Sequence, residues 1–154
     1  MDNTTTENFK IIQIIYGTLI MGVVAFLIFT LFTIPMTVFE YNDGSKFVFL
    51  VPIIFIIGVF LSSFLFKRSI SKIVKTDSLF QKLTKYQSAN IMRGAPLEGA
   101  GLMAVVATFT TSNYYYLVFA LLAIVLMFIN FPSKYKFENI VELSLEEKNR
   151  LAKM

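Results

Sequence analysis

From Gly99 to Ser133 the chain runs 35 residues without a charged side chain, and the carboxylate of Glu98 stands directly in front of that run. A helix crossing a hydrocarbon core of about 30 Å needs roughly 20 residues at ~1.5 Å each. Thirty-five is therefore too many for one span at ordinary tilt and too few for two spans and a turn. "TTSN" (Thr110 to Asn113) is the obvious turn inside the run. The later helix then covers 114–131, and the earlier one must begin near Ile91 and cover 91–110, which draws Glu98 into the membrane.

Two further runs lie upstream. Ile11 to Phe39 is free of charge and apolar to about Ile34, where Pro35 ends a helix over 11–34. "FVFLVPIIFIIGVFLSSFLF" (Phe47 to Phe66) gives a span over 47–66, with "EYNDGS" supplying turn chemistry before it. The start "MDNTTTENFK" is not the basic leader of a signal peptide, and no small-residue cleavage pattern follows, so the first span is expected to stay. With 56% hydrophobic residues, 17 phenylalanines and a mean hydropathy of +0.68, a bilayer is the natural solvent. The expectation is an all-α polytopic membrane protein: one membrane domain over 1–154, with four transmembrane helices arranged as two hairpins.

Charge placement orients it. Seven of the fourteen Lys and Arg lie between Lys67 and Arg93, opposed there only by Asp77, so the loop 67–90 reads as cytoplasmic. Four spans put the tail 132–154 on the same side and both termini in the cytoplasm. The tyrosines 114 to 116 then fit an aromatic belt at the opposite interface. Ser144 and Glu147 make a capping box before a brief tail helix, expected to be interfacial or solvated or to dock a cytosolic partner, and Asp77 or Ser78 caps a helix leading into the third span.

The function classes narrow by what is missing. No cysteine and no histidine remove thiolate and imidazole metal sites, cysteine nucleophiles and the usual general base. No enzyme, catalytic residue, metal or cofactor is expected. Nucleic acid is not an expected partner either, because the aromatics sit in spans rather than among the basic residues.

Glu98 is the residue that asks for an explanation. Seven residues into its span, it lies roughly 10 Å below the boundary, too deep to reach bulk water easily. Gly94, Ala95, Gly101 and Ile91 share its face, and with Gly99 they suggest a small-residue packing interface. Gln13, Tyr16, Thr18, Ser62, Ser63 and Asn130 fall at similar depth, as candidates for one polar layer, and Arg93 approaches Glu98 if the turn rotates. Pro96 frees the carbonyl of Met92, and a carboxylate beside such a kink can bind a cation. Glu98 is thus either a hydrogen-bonded group fixing helix register or a proton, cation or ligand site.

Offsetting the chain by 77 residues pairs Phe9 with Tyr86, Gln13 with Asn90, Gly17 with Gly94 and Gly22 with Gly99, and an offset of 67 pairs "FVFLV" with "YYYLV". These matches suggest a parallel internal repeat.

"LEGAGLMAVVA" with two hairpins and one membrane carboxylate resembles the duplicated proteolipid, or c-type, subunits of rotary ATPases; that resemblance implies that Glu98 carries a translocated ion. Here, however, Glu98 is on the first helix of its hairpin, and the family's glycine-rich helix is absent. The whole chain is more similar to small four-helix bacterial membrane proteins without established activity, through the "LEG...VVA...T.N" pattern after an amphipathic loop. The expected role is a non-catalytic subunit or scaffold in a bacterial inner membrane, self-associating or binding a membrane partner through small-residue faces. A proton or cation translocator using Glu98 is the alternative.

Overall fold

The computed structural model describes residues 3–35, 38–41 and 44–152. Six helices follow one another through them: α1 (Asn3–Thr33), α2 (Phe47–Ile70), α3 (Leu79–Thr111), α4 (Tyr114–Ile129), α5 (Lys134–Ile140) and α6 (Leu145–Ala152). Residues Phe9–Thr33 of α1 and all of α2 are long and apolar enough to cross a membrane; α4 with α5 makes a third candidate if the pair, bent by 72°, counts as one span.

Local chemistry sets the boundaries. α1 stops two residues before Pro35, whose ring disfavours helical geometry in the preceding residue. α2 runs past Phe66 to Ile70 with Lys67 and Arg68 in its last turn, where cations meet the negative end of the helix. α3 opens on a full capping box: the Ser78 hydroxyl accepts from Gln81 N–H, and the Gln81 side chain accepts from Ser78 N–H. Ser78, not Asp77, is thus the cap. Asp77 instead accepts from Val74 N–H and pairs with Lys85 at 2.6 Å. The turn read at "TTSN" is present: Ser112 ends α3 at a φ of 55°, and Asn113 caps α4 by accepting from Tyr115 N–H. In the "EYNDGS" turn, Asn42 and Asp43 lie outside the described residues.

α3 is one unbroken helix of 33 residues, roughly 50 Å long, and passes through Pro96 without interruption. It packs on α2, α4 and α1, whereas α1 and α2, neighbours in sequence, have little contact with each other. α3 has the length of a span but is less apolar than α1, α2 and α4, in keeping with a helix that packs against three others. Glycines allow the close approach. A Cβ at Gly58 of α2 would stand 2.9 Å from the Pro96 carbonyl, one at Gly94 would meet Tyr16 and Leu19, and one at Gly101 would meet Val23 and Ala123.

The α1–α2 and α3–α4 connections meet at one end of the bundle. Tyr114 N–H donates to the Val38 carbonyl, and Asn113 bonds both the N–H and the carbonyl of Glu40. Phe39, Tyr41, Tyr115, Tyr116 and Phe119 surround this junction edge to face. At the other end, Phe9 and Ile12 of α1, Leu79, Leu83 and Tyr86 of α3, and Phe137, Val141 and Leu151 of the tail form a second buried cluster. The tail is therefore packed against the bundle, not merely solvated.

Candidate functional site

On α3 the exposed residues Met92, Ala95, Gly99 and Val106 recur at helical spacing as one stripe. α1 meets α3 at Gly94, Glu98 and Gly101, and α2 meets it at Pro96 and Ala100, so the stripe opens between them. The result is a lateral groove with α3 as its floor. Gly99 has nothing within 4 Å of its Cβ position and Ala95 is exposed, so of Gly94, Ala95, Gly99 and Gly101 only Gly94 and Gly101 are spent on internal packing. Ile91 is half-buried beside them.

Glu98 stands at the α1 edge of the groove, half-buried, with Oε1 3.3 Å from the position of a Gly22 Cβ. Among the described residues it has no hydrogen-bond or ion-pair partner. Arg93 does not reach it. The guanidinium turns to the other side of α3 and lies 4.4 Å from the Phe66 ring centroid on α2.

The remaining polar side chains do not form one layer with Glu98. Tyr16 is fully buried and edge-on to Phe131 at 5.9 Å, with its hydroxyl unpartnered. Gln13 donates to the Pro132 carbonyl at 3.2 Å. Ser62 is buried and donates to the Arg93 carbonyl at 2.7 Å, strengthening the turn ahead of Pro96. Asn130 is the half-buried C-cap of α4. Thr18 is exposed and donates to Ile14 of its own helix at 2.9 Å, and Ser63 faces outward. The structure thus brings Gln13, Tyr16, Ser62 and Arg93 together near the α4–α5 bend and leaves Glu98 apart, on the groove.

One charged cluster escaped the sequence reading. Lys82 is 2% exposed and donates to both oxygens of Glu147, at 3.0 and 2.8 Å, and to the Glu142 carbonyl at 3.1 Å. Glu147 at the same time closes the Ser144 capping box of α6. Burial raises the Glu147 carboxyl, but the Lys82 ammonium and the Ser144 N–H outweigh it and hold the group below the ordinary carboxylate range. The signal was the spacing Leu79, Leu83, Tyr86, Asn90, which puts Lys82 on the inward face. A cleft of about 560 Å³ opens beside this pair, and four of its charges are already matched, Lys75 to Glu142 at 2.7 Å as well as Lys82 to Glu147.

Among the described residues no three His, Cys, Asp or Glu side chains are grouped so as to hold a metal ion. No protein-family model matches the chain, nor does any curated protein or solved structure.

Proposed function

We propose that the protein is a non-catalytic, four-span subunit of a bacterial inner membrane, with both termini cytoplasmic, that receives a transmembrane helix of another membrane protein in the groove on α3. The observation that carries this reading is Glu98: a carboxylate without a partner among the described residues, beside exposed Ala95 and Gly99. Small residues let a second backbone come close, and a hydrogen-bond donor on that helix would satisfy Glu98 away from water. The exposed hydroxyls Thr18 and Thr110 already donate within their own helices, which leaves a second copy few donors for Glu98, Ser63 of α2 among them. A different membrane protein is the better occupant. The basic loop supports the orientation.

The chain has no cysteine, so single-cysteine variants carry one unambiguous reporter. Ala95→Cys in native membranes is expected to form specific crosslinked adducts, and Phe60→Cys, on the lipid-facing side of α2, is not. Equal labelling of the two, or none at Ala95→Cys, would remove the docking reading. An adduct of twice the chain mass would reassign the groove to self-association.

A second reading, a proton or cation translocator, also starts from the unpartnered Glu98. Ion flux in reconstituted vesicles that is unchanged in Glu98→Gln would eliminate it.

A further inference from the structure

Arg93 lies where the spans meet the basic end of the bundle. Its guanidinium lies over Phe66, one residue before Lys67 on α2, and its charge is felt at Tyr16, whose ring meets Phe131 where α4 gives way to α5. The backbone of Gly94, the next residue, packs on the Tyr16 ring. Lys136 reaches back to the same corner, donating to the carbonyls of Ile129 and Phe131 at 2.6 and 2.9 Å. Among the described residues neither cation is paired with a carboxylate, and the Arg93 side chain donates no hydrogen bond. Its Nε is sealed from solvent without an acceptor, as is the fully buried Tyr16 hydroxyl.

Two cations and an unused buried hydroxyl make an arrangement short of an anion. The guanidinium is fixed by stacking on Phe66 and keeps its planar fork of donors, which matches phosphate geometry. Lys136 spends two of its three donors on carbonyls and keeps one. Burial, and then the charge of Arg93, hold Lys136 below the ordinary lysine range; an anion between them would reverse that penalty. The level in the fold narrows the ligand further, since basic pockets between spans on the cytoplasmic side are where phosphate-bearing lipid headgroups lie.

We propose that Arg93 and Lys136, at the corner where α2 meets the α4–α5 bend, bind the phosphate of an anionic phospholipid headgroup, with the Tyr16 hydroxyl behind it. The site is on the far side of α3 from the groove, so it stands or falls separately from helix docking.

The test uses the full chain in mild detergent, with native mass spectrometry reading retention of phosphatidylglycerol against phosphatidylcholine. Wild type retains phosphatidylglycerol preferentially. Lys136→Gln weakens that retention about fivefold or more, the loss expected for one cation at a membrane surface, and Arg93→Gln weakens it further. Lys46→Gln, at the opposite end, leaves it unchanged. If Arg93→Gln fails to fold, Lys136→Gln on the short α5 helix still carries the test. Equal retention of the two lipids, or unaltered retention in Lys136→Gln, would overturn the proposal. Displacement of the lipid by millimolar inorganic phosphate would overturn the lipid assignment in favour of a soluble phosphate ligand.

Discussion

Replacing Glu147 with glutamine tests whether the tail is a folded part of the molecule or a loose appendage. The Lys82 side chain is 3% exposed and the Glu147 side chain 15%, so the ammonium depends almost wholly on protein acceptors. A hydrogen bond to a charged group is worth about 1.5–3 kcal/mol, and stranding a buried charge costs about 3–5 kcal/mol. Glutamine keeps one carbonyl oxygen and Glu142 keeps its acceptor, so Glu147→Gln should lower the local stability of 134–151 by about 2–3 kcal/mol. Glu147→Ala, which also breaks the α6 capping box, should cost about 1 kcal/mol more. Lys82→Met combined with Glu147→Gln should be milder than the sum, with a coupling of about 1.5–3 kcal/mol. Hydrogen–deuterium exchange in detergent measures this at the amides of Phe137, Val141 and Leu151, whose side chains are buried in the end cluster. Because the folded Glu147 group is held low, its contribution is fully present above the unfolded carboxyl value of about 4.3 and is lost as pH falls through the lower folded value. Wild-type tail protection should be level from about pH 7 to about 5 and fall below about 4, and Glu147→Gln should lack that acid-side loss. Unchanged exchange in Glu147→Gln would refute the account of the tail.

Two further substitutions probe the bundle. Gly58→Ala puts a Cβ 2.9 Å from the Pro96 carbonyl and should push α2 from α3 at a cost of about 1–3 kcal/mol, whereas Gly99→Ala, with open space around it, should be neutral or gain up to about 1 kcal/mol; thermal melts in detergent read both. Asn113→Ala removes the side-chain bonds to both backbone groups of Glu40, and limited proteolysis should then cut near residues 38–41 while the spans stay intact.

What the sequence disclosed were features governed by local chemistry. The turn at Thr110 to Asn113, the stop before Pro35 and the capping boxes at Ser78 and Ser144 depend on residues within a few positions of one another. What stayed hidden depended on partners far along the chain. Lys82 meets Glu147 across 65 positions, so counting charges could only assign Lys82 to a solvated loop. Arg93 and Glu98, placed together by nearness in sequence, diverge because α2 offers Phe66 on one side of α3 and α1 offers Gly22 on the other. Burial follows only one of the two suggested pairings. At an offset of 77, Phe9 and Tyr86 are both buried and Gly22 and Gly99 both exposed, but at an offset of 67 Val51 is buried where Val118 is exposed, and Phe49 is exposed where Tyr116 is fully buried.

Glu98 is where the two functional readings separate, and three substitutions distinguish them by physical chemistry. Glutamine keeps the length and one acceptor oxygen but carries no charge and releases no proton. Aspartate keeps the charge one methylene short of Gly22, and leucine keeps bulk and loses all polarity. If Glu98 accepts a hydrogen bond from a docked helix, glutamine should preserve docking, aspartate should weaken it slightly, and leucine should weaken it by roughly 3- to 30-fold, the worth of a membrane hydrogen bond of about 0.6–2 kcal/mol. Leucine should at the same time leave the isolated protein as stable or more so, since it removes a polar group from a lipid-facing edge. If Glu98 instead titrates during transport, glutamine and leucine should fail alike and only aspartate should retain flux. Crosslinking from Ala95→Cys in each background, beside flux in vesicles, reads the two patterns. A groove that crosslinks equally with leucine at 98 would show that the carboxylate does not hold the partner, and docking would then rest on the small residues alone.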